Sequence, residues 1–187
     1  MTAVEEVDSE ILQNLSVLNT WCAPDCDATG CVTHIDDMCS VIRALRTALG
    51  IRRQYAATLL KEKSFVSRIL QLLRQVSAQF SLAQSLDPDV TTESTANRDA
   101  ASNQQSVTKL TLLILQTIAN YTNCGSDFAE DVWHYLFKEE LSDMLVFIVR
   151  IHSRKSLGVL VNVVYNSVCH NDQRSISRLE QLLNGNT

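Results

Sequence analysis

Residues 107–120 read VTKLTLLILQTIAN, and their pattern is the clearest indication of the fold class. Its large apolar residues recur at spacings of three and four, which is the period of an α-helix. The same spacing continues through most of the chain, whereas sustained alternation of apolar and polar residues, the pattern of a half-buried strand, does not occur. We therefore predict an all-α protein.

About nine helices are expected on either side of this stretch. The chain has 187 residues, of which 45% are apolar, so it is long enough and apolar enough to form a single domain over 1–187. The predicted helices cover 9–21, 36–50, a short segment around 55–60, 65–76 with Ser64 as N-cap, 107–120, a short segment capped by Ser126, 139–152, 157–169, and a last one starting at Asn171 or Asp172.

Between 85 and 105 the apolar pattern stops. The segment is rich in Thr, Ser, Asn, Asp, Ala and Gln, and its only sizeable apolar residues are Leu86 and Val90. Such a segment buries too little apolar surface to repay the entropy of ordering it. We predict a disordered loop over 85–105.

An internal repeat links three of the helices. Residues 45–50 (LRTALG) align with 115–120 (LQTIAN) and with 161–166 (VNVVYN), each at the end of a helix. After each of the first two come a polar turn, a short helix and a longer apolar helix. The second and third hexamers are 46 residues apart, which is within the range of armadillo and HEAT repeats. The first and second are 70 residues apart, and removing the 85–105 insertion brings this spacing close to 46. We predict a right-handed superhelix of stacked helices, because each three-helix unit exposes apolar surface that its neighbours cover.

The hexamer that ends at Asn120 resembles the third helix of an armadillo repeat. In importin-like armadillo proteins an Asn at this position binds the backbone of a bound peptide, and the resemblance places Asn120 and Asn166 there. The Trp that flanks it in those proteins is replaced by Gln116 and Asn162. We expect these four residues, Gln116, Asn120, Asn162 and Asn166, to line a concave face that binds other proteins.

The order of segments is similar to the N-terminal half of the ataxin-10 family. The similarity rests on 38–48 (MCSVIRALRTA) and on 115–120 leading to Asp131-Val132-Trp133, and it covers about residues 36–183. It implies a non-enzymatic cytoplasmic scaffold linked to cytokinesis and cell survival. A stack of such helices also exposes an apolar end, so a homo-oligomer is a further expectation.

The cysteines suggest an alternative function. Cys22, Cys26, Cys31 and His34, followed by Cys39, are soft metal ligands within a short span, and four of them could form a closed zinc site or a redox centre. No pair has the CxxC spacing of a zinc ribbon, and Cys39 falls on an apolar helical face. Free thiols that need no cofactor are the competing interpretation.

Charge and motifs argue against other classes. Residues 1–38 carry eight acids and no Lys or Arg, whereas residues 39–79 carry eight basic residues and one acid, within a net charge of −5. A chain with this acidic balance is not typical of nucleic-acid binding. No apolar run is long enough for a membrane span, the start has no secretory pattern, and GxSxG, Walker and HExxH motifs are absent, so we expect a cytoplasmic protein that is not an enzyme.

Overall fold

The computed structural model describes residues 3–22, 34–85 and 96–184, and within these ranges every element of secondary structure is helical. The prediction of an all-α protein is confirmed. In chain order the described elements are α1 (Ala3–Trp21), α2 (Ile35–Ile51), α3 (Arg53–Glu62), α4 (Phe65–Ser85), α5 (Ala96–Thr122), α6 (Ser126–Val132), a π-helical segment (Trp133–Glu140), α7 (Leu141–Arg150), α8 (Arg154–Val168) and α9 (Gln173–Asn184).

The long helices α2, α5 and α8 pack side by side in that order. Helices α2 and α5 run parallel, because Asp36 at the start of α2 meets Lys109 in the middle of α5, while the Cys124 thiol donates to the carbonyl of Arg53 beyond the ends of both helices, at an S···O distance of 3.5 Å. On another side of the molecule α1 contacts α4, and α4 contacts the π-helical segment. The buried apolar side chains form one cluster that extends from Ile11 on α1 to Val163 on α8.

Helix α5 holds this cluster together. Its buried side chains contact α2, α4 and α8. Because neighbours lie on several sides of the helix, the stretch from Val107 is apolar on more than one side. Tyr121 lies in the core between Phe65 and Phe128, with ring centroids 5.7 and 5.2 Å away, and its hydroxyl donates to Asp131 Oδ2 at 2.8 Å. The sequence "LTLLILQTIAN" is therefore a central helix, buried against neighbours on several sides.

The loop prediction was wrong for residues 96–105. Ser85 still belongs to α4, and α5 begins at Ala96 instead of Val107; residues 86–95 lie outside the described part of the chain. Residues 96–105 contain no Pro or Gly, and adding turns to a helix that is already nucleated and packed costs little. Lack of apolar residues removed the packing signal but not the ability to form a helix.

Two of the predicted helix caps also differ. Gly125, with φ of 155°, is the N-cap of α6, so Ser126 is the first residue of that helix and its hydroxyl makes other contacts. Ser64 precedes α4 as predicted, but with φ of 55° its N–H donates to the carbonyl of Lys61 at 3.0 Å and ends α3. The start of α9 is confirmed, since Asp172 Oδ1 accepts from the N–H of Ser175 at 2.8 Å.

Candidate protein-binding face

The four predicted binding residues lie on α5 and α8, which pack against each other. Two of them connect helices. Asn166 is half-buried, and its Nδ2 donates to the carbonyl oxygen of Ala119 at 3.0 Å. This hydrogen bond holds α8 against α5, so the Asn166 side chain has a role in packing, which differs from the predicted role in peptide binding.

Gln116 is also half-buried and connects α5 to α2. Its Oε1 accepts a hydrogen bond from Nη1 of Arg46. Arg46 and Gln116 are both the second residue of their repeat hexamers, so equivalent positions of two repeats meet in space. Arg46 is aligned with Gln116 in the repeat, but the amide side chains that suggest a binding face do not point to an arginine.

Asn120 and Asn162 are exposed. Asn120 follows Ala119, the residue that accepts the hydrogen bond from Asn166, and Asn162 lies one helical turn before Asn166. The two exposed amides therefore lie on adjoining helices at the same side of the contact between α5 and α8. Their donors and acceptors face solvent and could pair with another backbone.

Other side chains on the same helix faces complete the candidate site. On α5, Lys109 and Leu112 precede Gln116 and Asn120 at spacings of three and four, so all four share one face. On α8, Tyr165 lies three residues after Asn162 and is 64% exposed. Lys109 Nζ is 3.5 Å from Asp36 Oδ1 across to α2, where Arg43 is exposed. We call these residues the amide face: Arg43, Arg46, Lys109, Gln116, Asn120, Asn162 and Tyr165.

The cysteine cluster is described only in part. Cys26 and Cys31 lie outside the described residues, so the zinc site stays a prediction. Cys22 and Cys39 are both buried; the Cys22 thiol donates to the carbonyl of Arg68 at 3.2 Å, and burial raises the pKa of the Cys39 thiol. His34 is exposed, with Nδ1 3.4 Å from Asp37 Oδ2, and the described ranges contain no group of three or more metal-ligating side chains.

A buried polar cluster lies away from the amide face. Arg178 on α9 is only 2% exposed, and its guanidinium donates to the carbonyl of Ser167 at 2.5 Å, to Ser175 Oγ at 2.9 Å, to Ser126 Oγ at 3.2 Å and to Glu130. The Ser126 hydroxyl and the Ser175 N–H also hydrogen-bond Asp172 and lower the pKa of its carboxyl to about 2. No sequence pattern pointed to this cluster, because its members are isolated polar residues on three helices.

No helix in the described part of the chain has the length and apolarity to cross a bilayer. Comparisons with protein-family models, with curated proteins and with solved structures find no match for this chain.

Proposed function

We propose that this protein is a non-enzymatic armadillo-like scaffold of the ataxin-10 kind that binds other proteins through the amide face. Cytoplasmic action in cytokinesis and cell survival is part of the same proposal and comes from the sequence resemblance. The packing of the helices supports a scaffold of stacked repeats.

The packing of the helices supports an armadillo-like arrangement. The three hexamer-bearing helices α2, α5 and α8 adjoin one another in order. Each of two short helices contacts helices that follow it in the chain: α3 contacts α4 and α5, and α6 contacts the π-helical segment and α8. A unit of one short and two long helices, placed beside a copy of itself, is the construction of a solenoid.

The observation that carries the proposal is the hydrogen bond between Arg46 and Gln116 together with the exposed Asn120 and Asn162. Repeat-equivalent positions are in contact, so polar side chains recur across neighbouring helices on one surface. Surfaces of this kind bind extended segments, because each repeat offers the next part of the ligand the same donors and acceptors.

The charge of the amide face indicates the kind of segment. Arg43 and Arg46 bring positive charge to it, while Asp36 offsets the charge of Lys109, and Tyr165 adds an aromatic side chain of the type enriched in binding hot spots. We therefore propose an extended partner segment with acidic side chains, whose backbone pairs with Asn120 and Asn162.

Replacing both exposed amides tests the proposal. A partner is identified by cross-linking to the intact chain, and its dissociation constant is then measured with purified proteins. The Asn120→Ala, Asn162→Ala double variant should bind about 30-fold more weakly, because each lost hydrogen bond contributes about 1 kcal/mol.

The control removes two exposed amides elsewhere, with Gln54→Ala and Asn171→Ala, and should bind as the unmodified chain does. Asn166→Ala is unsuitable, since it breaks the contact between α8 and α5. Equal affinity of the double variant and the control for the partner would show that the amide face does not bind it.

A further inference from the structure

Helix α9 has its polar side buried and its apolar side exposed. The side chains buried against the rest of the molecule are Ser175 and Arg178, whereas Ile176, Leu179, Leu182 and Leu183 are exposed, Leu183 to 76%. Ile176, Leu179 and Leu183, at spacings of three and four, form one face, whereas Leu182 lies four residues after Arg178, towards the buried side. A continuous apolar face of this kind on the surface marks a site of interaction.

The two other short helices show how such a face is covered. Helix α3 buries Ala56, Ala57 and Leu60, and it contacts the long helices α4 and α5 that follow it. Helix α6 buries Ala129 and Val132 and contacts α8. The exposed face of α9 lacks a corresponding pair of long helices within the described part of the chain.

A pair of long helices with an open groove lies elsewhere in the molecule. Helices α1 and α2 pack together, and the cavity between them has a volume of about 370 Å³. Its lining includes the apolar side chains Ala44, Ala48 and Ile51, and Ile51 is 76% exposed. The groove is thus large enough and apolar enough to receive side chains from a helix.

The charges of the two surfaces are complementary. Arg43 and Arg52 line the groove, together with the single acid Glu10. On α9, the exposed Glu180 lies four residues after Ile176 and three before Leu183, so it belongs to the apolar face. The end of α9 adds the partial negative charge of a helix C-terminus.

We propose that the protein self-associates head to tail, with α9 of one copy bound in the groove between α1 and α2 of the next copy. The arrangement brings α2 of the next copy beside α8, which repeats the contacts that α2 makes with α5 and that α5 makes with α8. The two surfaces differ, so the contact is heterologous and produces an open chain or a ring of copies. Asn120 and Asn162 take no part, and Arg43 is the one residue of the amide face that also lines the groove. The Asn120→Ala, Asn162→Ala variant therefore tests the proposed function without changing the groove.

Two single variants of the full chain test it. Leu179→Glu places a charge on the α9 face, and Ile51→Glu places one at the groove; both side chains are exposed, so the fold should persist. By light scattering over a range of concentrations, the unmodified chain should exceed the monomer mass of 20.9 kDa, and each variant alone should stay monomeric.

Mixing the variants is the decisive step. Each retains one intact surface, so an equimolar mixture should form a dimer of one copy of each and nothing larger. A two-fold symmetric contact through α9 predicts instead that Ile51→Glu associates by itself. In an otherwise unmodified chain, Glu180→Arg should weaken self-association, and adding Arg43→Glu to the same molecule should restore it.

Leu12→Glu is the matched control. Leu12 lies on α1 but lines a different cavity, beside Lys63 and Arg68, and its side chain is 41% exposed. This variant should associate as the unmodified chain does. If circular dichroism shows Leu179→Glu to be unfolded, Leu183→Glu replaces it. A monomer at every concentration, or association of Ile51→Glu equal to that of the unmodified chain, would overturn the proposal.

Discussion

Arg178 is the residue with the most polar contacts among the buried side chains of α9. Three helices meet at its guanidinium: α9 itself, the end of α8 through the carbonyl of Ser167, and α6 through Ser126 and Glu130. A buried charge is tolerated only when its hydrogen bonds are made, and here they are distributed over the guanidinium. The contact of α9 with the rest of the molecule therefore depends on polar pairing more than on apolar burial.

Removal of this side chain should destabilise the protein. We expect Arg178→Ala to lower the free energy of unfolding by about 3 kcal/mol, the lower end for a broken buried ion pair, since Glu130 is half exposed. Urea-induced unfolding measures this free energy for the variant and for the unmodified chain. The control is Arg174→Ala, which breaks an exposed pair with Asp127 and should cost less than about 1 kcal/mol. Equal losses would show that the buried cluster does not stabilise α9.

Asp172 should make stability depend on acid pH. Its hydrogen bonds with Ser126 and Ser175 lower the pKa from the ordinary 3.8 to about 2 in the folded state. The carboxylate therefore stabilises the fold above about pH 4, and this contribution disappears as the pH falls towards 2. The midpoint of thermal unfolding of Asp172→Asn should lie below that of the unmodified chain at pH 7, and the gap should shrink between pH 4 and pH 2. A gap that is constant with pH would contradict the assignment.

At the scale of elements, α5 combines two parts with different packing. From Val107 onwards its buried side chains contact α2, α4 and α8, whereas Ser102 and Gln105 are exposed. Both parts are helical, because backbone hydrogen bonds continue from the packed part into the polar one. The helix therefore extends beyond the residues that pack it.

Hydrogen exchange should distinguish these parts. Amides of residues 102–106 should exchange faster than those of residues 110–121, because few buried contacts oppose opening of the first group. Mass spectrometry of peptides from the native protein measures both in one experiment, so the second group serves as the internal control. Equal protection across α5 would mean that the polar part is packed as firmly as the rest.

At the scale of the whole molecule, one apolar cluster runs through the helices while polar contacts set their relative positions. The hydrogen bonds of Arg46 with Gln116 and of Asn166 with Ala119 join α2 to α5 and α5 to α8. In the stack of repeat units that we propose, the outer helices keep uncovered surface, since each unit is completed by its neighbour. The proposed head-to-tail association would cover such surface, and mass measurement of mixed variants is its test.

The amino-acid sequence alone is enough to predict that the protein is helical and where most helices lie, because the apolar period and the cap at Asp172 are local properties of the chain. It also indicated the repeat that relates 45–50, 115–120 and 161–166. The packing of the helices was needed to show that Asn166 and Gln116 connect helices while Asn120 and Asn162 face solvent, and that α9 exposes leucines. The reason is that the exposure of a side chain depends on which helix lies against it, and the period of one helix contains no information about its neighbour.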